Sequence, residues 1–482
     1  MNSAPKVCLT LTARTLGEDI ALARKYAPLV DLVELRADCL DADGRGGIAS
    51  FPASVPVPAI LTVRRKVDGG SFDGTEDARL ALLAALPSFD FVDLESDLDA
   101  PALTKLANDS ATRIIRSLHV FDGCSGDIAL SADGLCKGPG EIPKIAFMPR
   151  TLGDVADLFR ATALLPRRDR IFCAMGPMGL PTRVLAHFSG SFLTFVSPTE
   201  LSCNTASIGH MSPERLLDVY GFRAVGDATH LCGVTGWPLK VTSSPEVHRA
   251  LCRRDGVDSV MVPLPCEDVA DAIRLAETLS FKGLAVTIPH KEALLAHLDW
   301  TDDAVKAIGA ANTVVFRDGR RLGYNTDAAG FANALRTFLG RGNLSGMRVA
   351  ILGAGGAARA IAYAVHGLGA SGAVFARDPS KAKTIAEPYG FEALAMTDLR
   401  SDFAPDLIVQ CTSVGHGSTD PNDDPVPGYA FSGKEAVYDL VYQPSVTPIM
   451  RRAAAAGCRT ESGMTMLKAQ GELQHRLFHA EA

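Results

Sequence analysis

Short runs of β-branched and apolar residues recur through the first half of the chain, each followed by a stretch with helical spacing. KVCLTLTA, VDLVELRAD, PAILTVRR, FDFVDLESD, RIIRSLHVF, IPKIAFMPR, RIFCAMGP and SFLTFVSP predict eight strands. Their near-continuous apolar character is that of strands covered on both faces. Eight strand–helix units in about 220 residues predict a (β/α)8 barrel. Polar residues interrupt the runs where the strands end. Glu34 and Arg36, Arg64, Glu95, His119 and Lys144 fall near the C-terminal ends of five different strands, the face on which barrels build their sites. Between His119 and Lys144, DGCSGDIALSADGLCKGPGE is too rich in Gly and Asp for a full-length helix, so this unit should be abbreviated.

The pattern changes near residues 218–230, where DVYGFRAVGDATH passes into a new strand, CGVTGW, with no low-complexity linker. Residues 231 to about 335 read as one α/β unit, residues 346 to about 455 as a second, and the tail from Glu461 as a helix. The expected domains are a barrel over 1–225, an α/β domain over 226–335 completed by 461–482, and a Rossmann-like domain over 336–460.

A length of 482 residues agrees with two or three domains. The net charge of -7, with no basic stretch, argues against nucleic acid or an anionic membrane as partner. Eleven scattered cysteines without a C-x-x-C pair support neither a disulfide framework nor a metal site. Neither a signal-peptide layout nor a run of eighteen apolar residues is found, so a cytoplasmic protein is expected.

Two features suggest chemistry. A lysine inside a buried strand, such as Lys144, snorkels to solvent, pairs with a carboxylate, or loses its charge and becomes an amine nucleophile near pH 7. RVAILGAGGAARA supplies the strand–turn–helix setting of a dinucleotide loop. There Gly353 would make the tight turn, Ala354 and Gly355 would bring backbone close to a pyrophosphate, and Gly356 and Ala357 would open the helix. At the end of the next strand Arg377 and Lys381 stand where a 2′-phosphate would lie, favouring NADP(H), although Asp378 could instead hold a free ribose hydroxyl.

In order, ELRAD, TVRR followed by GG, DLES, SLH, KIAFMP, MGPMGLPTR and GSFLTF resemble a type I 3-dehydroquinate dehydratase over most of residues 6–222. The resemblance implies that Lys144 forms an imine with 3-dehydroquinate, that His119 is the general base and then acid, and that Glu95 orients His119. It also implies that Glu34, Arg36, Arg64 and Arg183 bind the substrate's hydroxyls and carboxylate. The family's lid sequence Ser/Thr-Ala-Pro-Gly-Gln is here Ala206-Ser207-Ile208-Gly209-His210, with Thr205 next door, so His210 takes the place of the lid glutamine.

GVTGWPLKVTSSPEVH, GLAVTIPHK, GAANTV, GYNTDAAG, CTSVG, YDLVYQPSVTP and SGMTMLKAQG look like shikimate dehydrogenase over residues 231–482. By that resemblance Lys291 and Asp327 flank the reacting carbonyl, while Thr242, Ser244, Thr287, Asn312, Tyr442 and Gln470 bind the substrate. Thr412, Ser413 and Gly463 would lie beside the nicotinamide. The series implies a bifunctional enzyme, compatible with a monomer, that dehydrates 3-dehydroquinate to 3-dehydroshikimate and reduces it to shikimate with NADPH and no metal. The altered lid keeps an alternative open: an active shikimate or quinate dehydrogenase whose barrel is non-catalytic or of changed specificity.

Overall fold

The computed structural model describes residues 4–480 apart from 124–125, 167, 202–203, 205–207, 240–241, 401–402 and 418. The lid positions Thr205, Ala206 and Ser207 thus lie outside the described residues. The chain forms two compact units, residues 1–231 with 258–280 and residues 232–257 with 281–482.

In the first unit, strands β1 (Lys6–Leu11), β2 (Leu32–Arg36), β3 (Ala59–Thr62), β4 (Phe91–Glu95), β5 (Arg113–Val120), β6 (Ile142–Phe147), β7 (Ile171–Ala174) and β8 (Leu193–Val196) form one parallel sheet of order β7-β6-β5-β4-β3-β2-β1-β8. All eight predicted strands are present. A single parallel bridge, Arg170 to Ser191, joins the two ends of the sheet. Among its described residues the segment after His119 holds only a five-residue helix, Gly126–Leu130, and a 3-10 turn, Ala132–Leu135, as its composition predicts.

Side chains alternate across a strand, so inward positions recur every second residue. Cys8, Leu32, Ile60, Phe91, Ile115, Ile142, Ile171 and Leu193, one from each strand, pack as an apolar floor. Two residues further along each strand comes a second ring: Thr10, Glu34, Thr62, Asp93, Ser117, Lys144, Cys173 and Phe195. The chemistry therefore begins one layer above a dry plug. Residues 258–280, which carry β10 (Ser259–Pro265) and the helix Val269–Thr278, group with this unit, and Arg274 bonds Asp157 of the Leu152–Thr162 helix at 2.5 Å.

The second unit has two sheets. In the first, β9 (His230–Gly236), β11 (Gly283–Val286), β12 (Trp300–Thr301), β13 (Thr313–Arg317) and β14 (Arg320–Tyr324) run in the order β9-β11-β13-β14-β12. The other is fully parallel: β15 (Arg348–Leu352), β16 (Ser371–Ala376), β17 (Glu392–Ala395), β18 (Leu407–Gln410), β19 (Ala436–Asp439) and β20 (Arg459–Ser462), in the order β17-β16-β15-β18-β19-β20. The strand order reverses between β15 and β18, and ligands bind at such a switch point. Among the described residues no helix is long and apolar enough to cross a membrane.

Candidate functional sites

Five members of the second ring, Thr10, Glu34, Lys144, Cys173 and Phe195, and positions above them line a cavity of about 90 Å³. Glu34, Arg36, Arg64, His119, Lys144, Arg183 and His210 all border it, so the structure gathers seven of the eight side chains expected in the barrel. Lys144 Nζ donates to Asp93 Oδ2 at 2.8 Å, and both side chains are buried. Asp93 Oδ1 meets Arg64 at 2.7 Å and accepts from the Ser117 hydroxyl at 2.5 Å. Burial pushes the Asp93 carboxyl up, but the charges of Arg64 and Lys144, with these hydrogen bonds, outweigh it and hold the group far below the usual carboxylate range. Of the three sequence alternatives for Lys144, the paired one is the arrangement found. Asp93 itself was overlooked, although it occupies the same ring as Lys144 and the period-two rule points to it.

Glu95, the eighth, is displaced from its expected role. It accepts from Arg64 Nη1 at 3.2 Å and Arg79 Nη1 at 2.8 Å, all three side chains being buried. Two guanidiniums outcompete an imidazole for one carboxylate. His119 Nδ1 is buried without a hydrogen-bond partner. Burial first, then the charges of Arg64 and Lys144, hold the His119 imidazole well below its ordinary value. A neutral ring at pH 7 is ready to accept a proton.

Glu34 accepts from Thr10 at 3.0 Å and Thr62 at 2.8 Å, and Arg36 grips Asp38 through two bonds of 2.9 and 2.8 Å. Arg183 differs. It is 3 % exposed and donates to the Ile208 carbonyl, yet its Nε and Nη1 have no partner. A buried guanidinium with unmet donors in a cavity is a ready anion grip. His210 lies parallel to the Phe195 ring at 6.2 Å, its Nδ1 also unmet, and Lys144 Nζ sits 4.7 Å from the centre of the same ring.

In the second unit, Lys291 follows β11 and Asp327 lies in the first turn of the helix Thr326–Leu339, capped by the Asn325 side chain. Lys291 Nζ donates to Asp327 Oδ2 at 2.5 Å. Asn312 bonds Thr326 at 2.9 Å and Gln470 at 3.4 Å, and Thr326 bonds Gln470 at 3.2 Å. Gly330 admits this contact, since a Cβ there would fall 2.6 Å from that of Gln470. Thr242 accepts from the Ser244 amide at 3.3 Å. The Tyr442 hydroxyl, raised by burial, hydrogen-bonds the Ser243 backbone and Thr242 side chain. The Thr287 amide bonds the Thr235 carbonyl at 2.9 Å, beside Gly236. Sequence reasoning missed Thr326, which links Asn312 to Gln470; its place beside Asp327 in GYNTDAAG was the available signal.

The cradle fits a dinucleotide. Gly353 has φ +118°, where a Cβ would also lie 3.0 Å from Thr412 Cγ2, so the loops after β15 and β18 meet at the switch point. The helix Gly356–Gly367 starts without a side-chain cap, and a Cβ at Gly355 would meet nothing within 4 Å. Its first N–H groups and positive dipole end are therefore open to a phosphate. Ala354 and Ala357 border this opening at partial exposure. A Cβ at Gly356 would be 3.7 Å from Lys291 Cδ, which puts the Lys291–Asp327 pair against the cradle. Arg377 and Lys381 are exposed at the end of β16, while Asp378 is engaged as a cap, accepting from the Ser380 amide and hydroxyl at 3.0 and 2.6 Å. Ser413 is exposed and bonds Thr419 through its carbonyl, and Gly463 is required by packing, a Cβ there colliding with the Leu440 carbonyl.

Comparison with known proteins agrees with this division. Residues 7–227 match the model of type I 3-dehydroquinase, and residues 234–314 that of the shikimate dehydrogenase substrate binding domain. The chain is 30% identical to the chloroplastic bifunctional 3-dehydroquinate dehydratase/shikimate dehydrogenase of Arabidopsis thaliana, over 98% of this chain and 81% of that protein. It is 38% identical to an NADP(+) shikimate dehydrogenase of Thermus thermophilus, over 51% of this chain and 90% of that protein. A solved shikimate 5-dehydrogenase of the same species, in complex with NADP(H) and shikimate, matches at 36% identity and a TM-score of 0.48, covering 52% of this chain and 94% of that one. This chain belongs to the family of bifunctional 3-dehydroquinate dehydratase/shikimate dehydrogenases.

Proposed function

We propose that the barrel dehydrates 3-dehydroquinate through an imine on Lys144 and that the second unit reduces the 3-dehydroshikimate formed to shikimate with NADPH. One observation carries the reading: each unit holds a lysine–aspartate pair in its site, Lys144 with Asp93 at 2.8 Å and Lys291 with Asp327 at 2.5 Å.

In the barrel, Arg183 takes the substrate carboxylate with its two unmet donors, and Glu34, Arg36 and Arg64 face the ring hydroxyls. The Lys144 nitrogen bonds to the ketone carbon and gives two of its three protons to the ketone oxygen, which leaves as water; the protonated imine keeps the third, and Asp93 faces its charge. The imine draws electrons from the neighbouring carbon, from which His119 removes a proton. The protonated His119 then gives that proton to the departing tertiary hydroxyl, and hydrolysis of the imine releases product and lysine. Phe195 and His210 wall the cavity against bulk water.

In the second unit Thr242, Ser244, Thr287, Asn312, Tyr442 and Gln470 hold the carboxylate and hydroxyls, and Lys291, steadied by Asp327, donates a proton to the carbonyl oxygen as it becomes an alcohol. Bound NADPH supplies the hydride. Gly353, Ala354, Gly355, Gly356 and Ala357 would receive its pyrophosphate, Arg377 and Lys381 its 2′-phosphate, and Thr412, Ser413 and Gly463 would border its nicotinamide. We assign the barrel to 1–225, the substrate domain to 226–335 with 461–482, and the cofactor domain to 336–460, in a cytoplasmic protein whose paired domains are compatible with a monomer.

The test is a coupled assay of the full chain with 3-dehydroquinate and NADPH. The parent should consume NADPH, Lys144→Ala should do so only when given 3-dehydroshikimate, and Lys291→Ala with neither acid. NADPH consumption by Lys144→Ala from 3-dehydroquinate would overturn the barrel assignment. Faster oxidation of quinate with NAD than reduction of 3-dehydroshikimate with NADPH would overturn the second. His210 favours one further reading, a barrel of changed specificity, in which borohydride traps ketones other than 3-dehydroquinate on Lys144.

A further inference from the structure

The helices that carry Ser244 and Gln470 also carry a cluster of metal-binding side chains outside both reactions. Cys252 lies two turns beyond Ser244 in the helix Ser244–Asp255, and His475 and His479 stand one turn apart in the helix Gly463–His479. The Cys252 sulfur and one ring nitrogen from each histidine all lie within 4.8 Å of one another. Cys252 Sγ is 3.9 Å from His475 Nδ1. On its other side, His475 Nε2 is 3.1 Å from Asp255 Oδ2.

The geometry sets the tautomer. With its hydrogen on Nε2 donated to Asp255, His475 turns the Nδ1 lone pair toward the sulfur, and a carboxylate behind a metal-binding imidazole acts in this way. Asp255 is also gripped by Arg254 at 2.7 and 2.8 Å, which suits it to orienting His475 rather than to binding an ion directly. Bond lengths of about 2.3 Å to sulfur and about 2.0 Å to nitrogen give a tetrahedral sulfur–nitrogen edge of about 3.5 Å. The separation of 3.9 Å is wider by a few tenths of an ångström, within the reach of a side-chain adjustment. One thiolate and two imidazoles form a donor set that selects zinc-class ions over magnesium or calcium.

We propose that Cys252, His475 and His479 form a site for one zinc-class ion, with Asp255 orienting His475 and a fourth position open to water. The ion would tie together the two helices that also carry Ser244 and Gln470. The site stands independently of the two-reaction reading, because metal binding alone tests it.

The experiment titrates the chelator-treated full-length chain with Co2+. The expected result is one ion per chain, with the visible bands of tetrahedral Co2+, a near-ultraviolet thiolate charge-transfer band, and displacement of both by Zn2+. Cys252→Ser should lose the thiolate band, His479→Gln should weaken binding, and Asp255→Asn should weaken it by about 10- to 100-fold through misorientation of His475. Zn2+ should raise the Tm of the parent by more than that of His479→Gln, a comparison that holds even if Cys252→Ser folds poorly. An octahedral spectrum without the thiolate band, or equal binding by the parent and His479→Gln, would overturn the proposal.

Discussion

Asp93 binds Lys144 with one carboxylate oxygen and Arg64 with the other, so a single anion holds two buried cations in the ring above the barrel floor. Asp93→Asn would leave Lys144 without its counter-charge and Arg64 with Glu95 alone, at a cost of about 3–5 kcal/mol. A fall in Tm together with loss of borohydride trapping on Lys144 is expected. Unchanged trapping in a destabilised variant would limit Asp93 to a structural role.

The acid limb of the dehydratase pH profile reports on His119. Its imidazole is held below the ordinary value by burial and by the cations around it, so the free enzyme keeps an unprotonated base as the pH falls past 6.5. The midpoint of the fall in kcat/KM is therefore expected below 6.5, and its absence in the residual activity of His119→Asn would assign it to this ring.

Arg377 and Lys381 are exposed at the end of β16, and Asp378 is engaged in its helix cap. Removing a charge-assisted bond costs about 1.5–3 kcal/mol, so Arg377→Ala should raise the KM for NADPH by about 10- to 100-fold and leave that for NADH unchanged. Added salt should narrow the difference between parent and variant, since both groups are exposed.

Asp19 gives a stability test away from both sites. Burial raises its carboxyl from 3.8 to about 7, and its Oδ2 has no hydrogen-bond partner. Between these values the folded chain holds a proton that the unfolded chain has lost, so this group's contribution to stability falls as pH rises from about 4 to about 7, by at most about 4 kcal/mol. Asp19→Asn should flatten that slope and be more stable than the parent at about pH 8, above both values, as read by urea unfolding across the pH range.

The barrel was legible because its strands are short, apolar and evenly spaced, and because period-two alternation follows from the backbone alone. Lys144, His119 and the arginines were readable as polar breaks in those runs. The partner of Glu95 was not: Arg79 sits in the helix Glu76–Leu83, and nothing local shows that its side chain turns inward. Asp93 was readable in principle, as the inward neighbour two positions beyond Phe91. The His475 and His479 pair was visible as a one-turn spacing in the tail, but Cys252 is 223 residues from His475, a distance only folding closes.

The barrel's closure is uneven around its circumference. Six residue pairs bind β5 to β6, which carry His119 and Lys144, whereas one bridge joins the ends of β7 and β8. Amide hydrogens along that seam should exchange with solvent well before those between β5 and β6. Arg183 and His210 follow the two seam strands, so breathing there would loosen the anion grip while the nucleophile and base stay in register: the cylinder would hinge where cargo passes and stay stiff where bonds change.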